Sequence, residues 1–167
     1  MIDIDMKRCV SKPIVTDSIT HNTLIMMVGL PRSGKSTVAK KLASDKNGKL
    51  IIPIVDTDCI RKSLGVFPFV SSCEDVVWLI AKNMVRSLFL AGHPDVILDA
   101  TSLTSASRED WKSDLYNIVY VQVETDKETC IRRAVDTDQA YLVPVIEAMN
   151  AKAQWPNDYE LRAFVNE

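Results

Sequence analysis

The chain has 167 residues, 47% of them hydrophobic and 25% charged, which fits one globular domain with enough length to bury a sizeable core and argues against two domains. A total of 20 Lys and Arg against 22 Asp and Glu leaves a net charge of -2, which excludes a global basic field for bulk nucleic-acid binding but not a local basic patch. Cys9, Cys59, Cys73 and Cys130 lack C-x-x-C spacing and read as small buried apolar residues of a reducing compartment, not as disulfides or a zinc site.

Residues 1–22 form an N-terminal extension. Its opening, MIDIDMKRCV, has acids where a signal peptide needs basic residues before an apolar run, and no stretch approaches the ~18 apolar residues of a membrane span. The expected location is the cytoplasm. TLIMMV at 23–28 is a continuous apolar run, as a parallel strand covered on both faces should be. A helical pattern follows at 35–45, and LIIPIV at 50–55 predicts the next strand. Helices are expected at 58–64 and 74–91, the second stopped by Gly92. Strands at 95–100 and 117–123 enclose a helix at 105–115, and helices at 127–136 and 143–154 follow. Pro144 suits the first turn of the last helix, where its missing N–H costs nothing. The tail after Pro156, like the extension, is open to three readings: an extra strand, a docking arm or a frayed end. The alternation predicts an α/β fold, a doubly wound parallel sheet flanked by helices.

Between the first strand and the first helix stands GLPRSGKST. Gly29, Gly34, Lys35 and Ser36 satisfy G-x-x-x-x-G-K-[ST] in the strand-to-helix context that makes the pattern a P-loop. Glycines let the backbone curl so that successive N–H groups face phosphate oxygens, and the new helix adds the positive end of its dipole. The candidate nucleotide-binding set is Gly29, Pro31, Arg32, Ser33, Gly34, Lys35, Ser36 and Thr37. Lys35 would bridge the β and γ phosphates, and the Ser36 hydroxyl would ligate Mg²⁺, so the expected cofactors are ATP and Mg²⁺. The alternative is an ordinary strand-to-helix turn, which would have to fill every fixed position by chance.

At the end of the second strand, DTDCIRKSL places Asp58 and Arg61 three residues apart at a helix start and therefore on one face. A carboxylate there could take a proton while the guanidinium grips an acceptor phosphate. Asp58 also reads as the helix N-cap and Arg61 as a solvated charge, and Asp56 is a competing carboxylate that could serve the metal shell.

Taken in order, GLPRSGKST, DTDCIRKSL and VILDATSLTSASREDW resemble the polynucleotide kinase family of P-loop kinases, best known from bacteriophages, over about residues 23–150. The resemblance implies a P-loop kinase domain over 23–167 with a small helical lid, moving the γ-phosphate of ATP to a hydroxyl of DNA or RNA. By position it implies that Asp58 is the general base and that Arg61 contacts the acceptor's phosphate. Asp99, Thr101 and Ser102 match the family's third-strand segment, with Asp99 in the Walker-B-like place beside the metal. Arg132 and Arg133 match the lid arginines that close over the phosphates, while Arg108 and Trp111 are structural. The family carries a second lid arginine four residues beyond the first, and here that place holds Asp136 or Thr137.

Three functions fit these motifs. The first is transfer of phosphate to a polynucleotide 5'-OH, with a DNA-modifying variant acting on a hydroxymethylated base such as 5-hydroxymethyluracil. The second is a kinase for a nucleoside, sugar or antibiotic. The third is a nucleotide switch, although the N-K-x-D motif of GTPase switches is absent. Phe67 and Phe69 in VFPFV could stack on an acceptor base, but core packing is the commoner fate of Phe. DTDCI resembles the D-x-D-x-[TV] phosphatase motif, and Ile60 breaks it. His21 and His93 are isolated.

Overall fold

The computed structural model describes residues 2–3, 22–156 and 161–165. In chain order the elements are β1 (Ile2–Asp3), β2 (Thr23–Val28), α1 (Lys35–Ala43), β3 (Ile54–Asp56), α2 (Thr57–Ser63), α3 (Glu74–Leu90), β4 (Asp95–Asp99), α4 (Ser105–Glu109), β5 (Asn117–Glu124), α5 (Lys127–Val135), α6 (Val143–Ala151) and β6 (Leu161–Val165). They build a six-stranded sheet in the order β1-β6-β5-β2-β4-β3. The strands from β6 through β3 run parallel, and only the edge pairing of β1 with β6 is antiparallel. The expected doubly wound α/β sheet flanked by helices is the architecture found.

The strands β2 and β4 are nearly continuous apolar runs because both faces are covered, whereas the first half of β5 alternates, with Asn117 and Val119 exposed. One face packs Leu24, Met26, Val96 and Leu98 against Val77, Ala81, Val85 and Phe89 of α3. The other packs Met27, Ile97, Val121 and Val123 against Val38, Ala39 and Ala43 of α1. A third cluster joins Val28, Leu30 and Leu103 to Cys130 and Ala134 of α5 and Ile146 of α6, which docks these two helices beside the P-loop as a small lid. Among the described residues, no helix is long and apolar enough to cross a membrane.

Several boundaries differ from the sequence expectation. The strand expected at 50–55 is confined to Ile54–Asp56. The amides of Ile51 and Ile52 instead both donate to the Ala43 carbonyl at the end of α1, and Leu50 and Ile51 are about 60% exposed. α4 stops at Glu109, not 115, because the chain turns there and sends Trp111 into the core, edge-on to Trp78. Arg108 is buried, donates to the Ser102 carbonyl at 3.0 Å and lies over the Tyr120 ring, a structural role as expected. Gly92 ends α3 at φ +90, a left-handed conformation open to glycine, and Pro144 stands in the first turn of α6. Phe67 and Phe69 are not core residues: they are 40% and 61% exposed on the loop after α2. Cys59 is likewise exposed, whereas Cys130 is buried as expected. Residues 2–3 supply an edge strand and residues 161–165 the strand beside it. Cys9, His21 and the other residues of 4–21 lie outside the described residues.

Candidate active site

The sheet order makes β2 the point where the chain reverses direction across the sheet, and the crevice beyond the carboxyl ends of such strands is where open α/β sheets hold ligands. Register brings the pieces together there. Asp56 pairs with Asp99 as β3 and β4 end, and the Gly29 amide leaving β2 donates to the Thr101 carbonyl at 3.1 Å.

The P-loop itself is shaped by two glycines. A Cβ on Gly29 would sit 2.9 Å from the Val123 carbonyl and 2.8 Å from Ser33 Oγ, so no side chain fits. Gly34 turns the chain into α1 at φ 101. α1 has no side-chain cap and no acid in its first turn, so its positive end is left for an anion. α2 and α5 differ, being capped by Asp56 and Asp126.

Lys35 is buried and donates from Nζ to the Leu30 carbonyl at 2.6 Å. Burial pulls its pKa down to about 8, and Asp99 is the largest opposing influence. Asp99, also buried, is hydrogen-bonded to the Ser36 hydroxyl, and burial pushes its carboxyl up from the ordinary value against that bond and Lys35. Its neighbours Thr101 and Ser102 open a cavity of about 520 Å³ that runs between Trp78 of α3 and Pro144, Val145 and Met149 of α6.

The N-cap of α2 is Asp56, not Asp58: its Oδ1 accepts from the amides of Asp58 at 2.8 Å and Cys59 at 3.2 Å. Asp56 is thereby committed to the helix end, while the Asp58 carboxylate stands 61% exposed and 2.7 Å from Arg61 Nη1. Asp58 is close enough for its charge to act on both Lys35 and Asp99. Arg61 is no solvated surface charge. Its Nε and Nη2 form a two-pronged pair with Glu74 of α3 at 2.8 and 2.7 Å, with both side chains largely buried.

Residues of α5 and its flanks meet the P-loop through its carbonyls and through Arg32. Arg133 Nη1 lies 3.3 Å from each of the Arg32 and Ser33 carbonyls, and Thr125 Oγ1 donates to the same Ser33 carbonyl at 2.9 Å. In return, Arg32 Nη2 donates to Thr137 Oγ1 at 3.0 Å. Arg132, on the same helix, is exposed.

Residues 24–154 match a protein family described as an AAA domain. The chain belongs to this family. No curated protein matches it in sequence. Among solved structures, this AAA domain is similar to a putative kinase from Chloroflexus aurantiacus j-10-fl, with TM-score 0.64 and 13% identity over 89% of this chain and 86% of that one. It is also similar to the APS kinase CysC of Mycobacterium tuberculosis in complex with AMPPNP and APS, with TM-score 0.58 and 18% identity over 87% of this chain and 90% of that one. A chain of the Pnkp1/Rnl/Hen1 complex aligns at TM-score 0.59 and 23% identity over 71% of this chain but only 42% of that one. At such identities the likeness establishes the fold, which is that of P-loop kinases.

Sequence reasoning missed two contributors to the AAA domain's site, Glu74 and Thr125, and named Thr137 only as a residue at the place of an absent lid arginine. Glu74 lies thirteen residues from its partner Arg61, and Thr125 and Thr137 about a hundred from theirs. No helical or strand period links such separations, so only the folded chain reveals them.

Proposed function

We propose that the chain is an ATP-dependent kinase that transfers the γ-phosphate to a hydroxyl of a nucleic acid, most simply a polynucleotide 5'-OH. The observation that carries this reading is the Asp58–Arg61 pair beside the Lys35–Asp99 end of the P-loop. An exposed carboxylate there is open to an acceptor hydroxyl, and the neighbouring arginine is held in one orientation by Glu74. In the reaction, the acceptor oxygen bonds to the γ-phosphorus, the bond from that phosphorus to the β–γ bridging oxygen breaks, Asp58 takes the acceptor's proton, and ADP leaves. Arg61 keeps donors beyond those given to Glu74 and Asp58, and these suit a phosphate of the acceptor strand.

Ser36 and Asp99 fit Mg²⁺, which prefers oxygen donors and takes the rest of its shell from phosphates and water. The two oxygens already lie within hydrogen-bond distance, so together they offer a hydroxyl and a buried carboxylate. When bound, the ion would neutralise charge on the β and γ phosphates. Among the described residues no cluster of three or more His, Cys, Asp or Glu competes for it.

A second reading, a kinase for a nucleoside or sugar, is favoured by the cavity beside Thr101, whose volume of about 520 Å³ suits a small molecule as well as the end base of a strand. The test is labelled ATP offered with 5'-OH oligonucleotides, hydroxymethylated DNA, nucleosides and sugars. Label on the oligonucleotide 5' end, lost in Asp58→Asn, supports the main reading. Label on nucleosides or sugars alone, or on the modified base alone, replaces it.

A further inference from the structure

We infer that Arg32, inside the P-loop, is the arginine that contacts the transferring phosphate, and that Arg133 is a positioning residue holding the loop by its carbonyls; this rests on the kinase reading above. Two independent observations carry it. The first is an orphaned donor. Arg32 Nε is buried and finds no acceptor among the described residues, and the other such side-chain atom, Ser33 Oγ, is its neighbour in the same loop. A cationic N–H buried without an acceptor is among the least tolerated polar arrangements in a folded chain, and a phosphate oxygen would complete it.

The second observation is backbone strain kept for a side chain. Arg32 has φ 66, a left-handed conformation that glycine adopts freely and a long side chain does not. A loop that needed only its backbone amides would be relieved by glycine here. The retained arginine is held in turn by the lid side, through Thr137 Oγ1 at 3.0 Å and the Arg133 carbonyl at 3.5 Å.

Arg133 is arranged differently. Its Nη1 is turned to the Arg32 and Ser33 carbonyls, so this donor is engaged with the loop backbone itself. The pattern assigns the staple to Arg133 and the phosphate contact to Arg32. As the γ-phosphorus parts from the bridging oxygen, negative charge moves onto that oxygen while the phosphoryl group flattens between the entering and leaving oxygens, and an arginine that bridges them stabilises this state more than bound ATP.

The test measures, with the full chain and Mg²⁺, the affinity for ATP and for ADP with aluminium fluoride, a mimic of the group in flight. Arg32→Gly is expected to bind ATP within about threefold of the unaltered chain but to lose on the order of 10² or more in affinity for the mimic, in line with the large effect of arginines on phosphoryl transfer. Arg32→Lys, which keeps the charge without the fork, should recover part of it, as should millimolar guanidinium added to Arg32→Gly. Arg133→Ala should weaken both ligands equally and lower the melting temperature. Equal binding of both ligands by Arg32→Gly, or an equal loss of both, overturns the inference while leaving the kinase reading intact. So does a loss confined to the mimic in Arg133→Ala. An unaltered chain that binds no ATP overturns the kinase reading and this inference with it.

Discussion

Lys35 is held between burial and charge. The unfolded chain keeps its proton up to about pH 10.5 and the folded chain only to about 8, because burial outweighs the attraction of Asp99. Below pH 8 both states are protonated and the folded protein bears the full penalty, about 3 kcal/mol. Between 8 and 10.5 the unfolded state binds more protons, so stability should rise with pH across that window, and Lys35→Met should remove the rise in denaturant titrations. Phosphate reverses the balance by favouring the charged amine. ATP affinity should therefore fall as pH climbs through 8, by up to tenfold per unit, with proton uptake visible by calorimetry in buffers of different ionisation enthalpy. A flat affinity profile would place Lys35 away from the phosphates. Lys35→Met should also abolish transfer to every acceptor. At Arg61, Glu74→Ala leaves a largely buried guanidinium short of its bidentate partner. It should lower stability by about 2 kcal/mol and raise the acceptor KM while ATP affinity holds.

At the scale of one helix, α2 separates two neighbouring acids by task. Asp56 accepts two amides at the helix start, so Asp56→Ala should remove about 1 kcal/mol and a few degrees of melting temperature. Asp58 caps nothing in the described structure, so Asp58→Asn should leave stability almost unchanged. If it is the base, that variant should keep ATP binding while transfer falls by a factor on the order of 10² to 10⁴ in single-turnover measurements. Loss of stability in Asp58→Asn with unchanged transfer would invert the assignment. The element before it shows the same dependence on surroundings. LIIPIV has the composition of a strand, but half of it closes the end of α1 because the Ala43 carbonyl needs donors there. Composition alone cannot weigh that demand.

Across the whole molecule, a parallel sheet with β2 at its turning point gathers Gly29, Asp56 and Asp99 at one end although they are far apart in sequence. A ligand bound there should stabilise the entire domain, so saturating Mg²⁺–ATP at a hundred times its Kd should add about 2.7 kcal/mol to unfolding, an increment absent in Lys35→Met. The order of strands and helices, the parallel sheet, the P-loop and the placement of Asp58 and Arg61 on one face are legible along the chain. These are written in short-range periods and in residues whose local geometry has few alternatives. Packing in three dimensions makes Asp56 the cap, sets Glu74 against Arg61, leaves Phe67 and Phe69 exposed, and brings Arg133 to the loop in which an Arg32 donor finds no partner among the described residues. Each depends on groups brought together by chain packing and on which buried polar atoms find partners there, and sequence spacing carries no record of either.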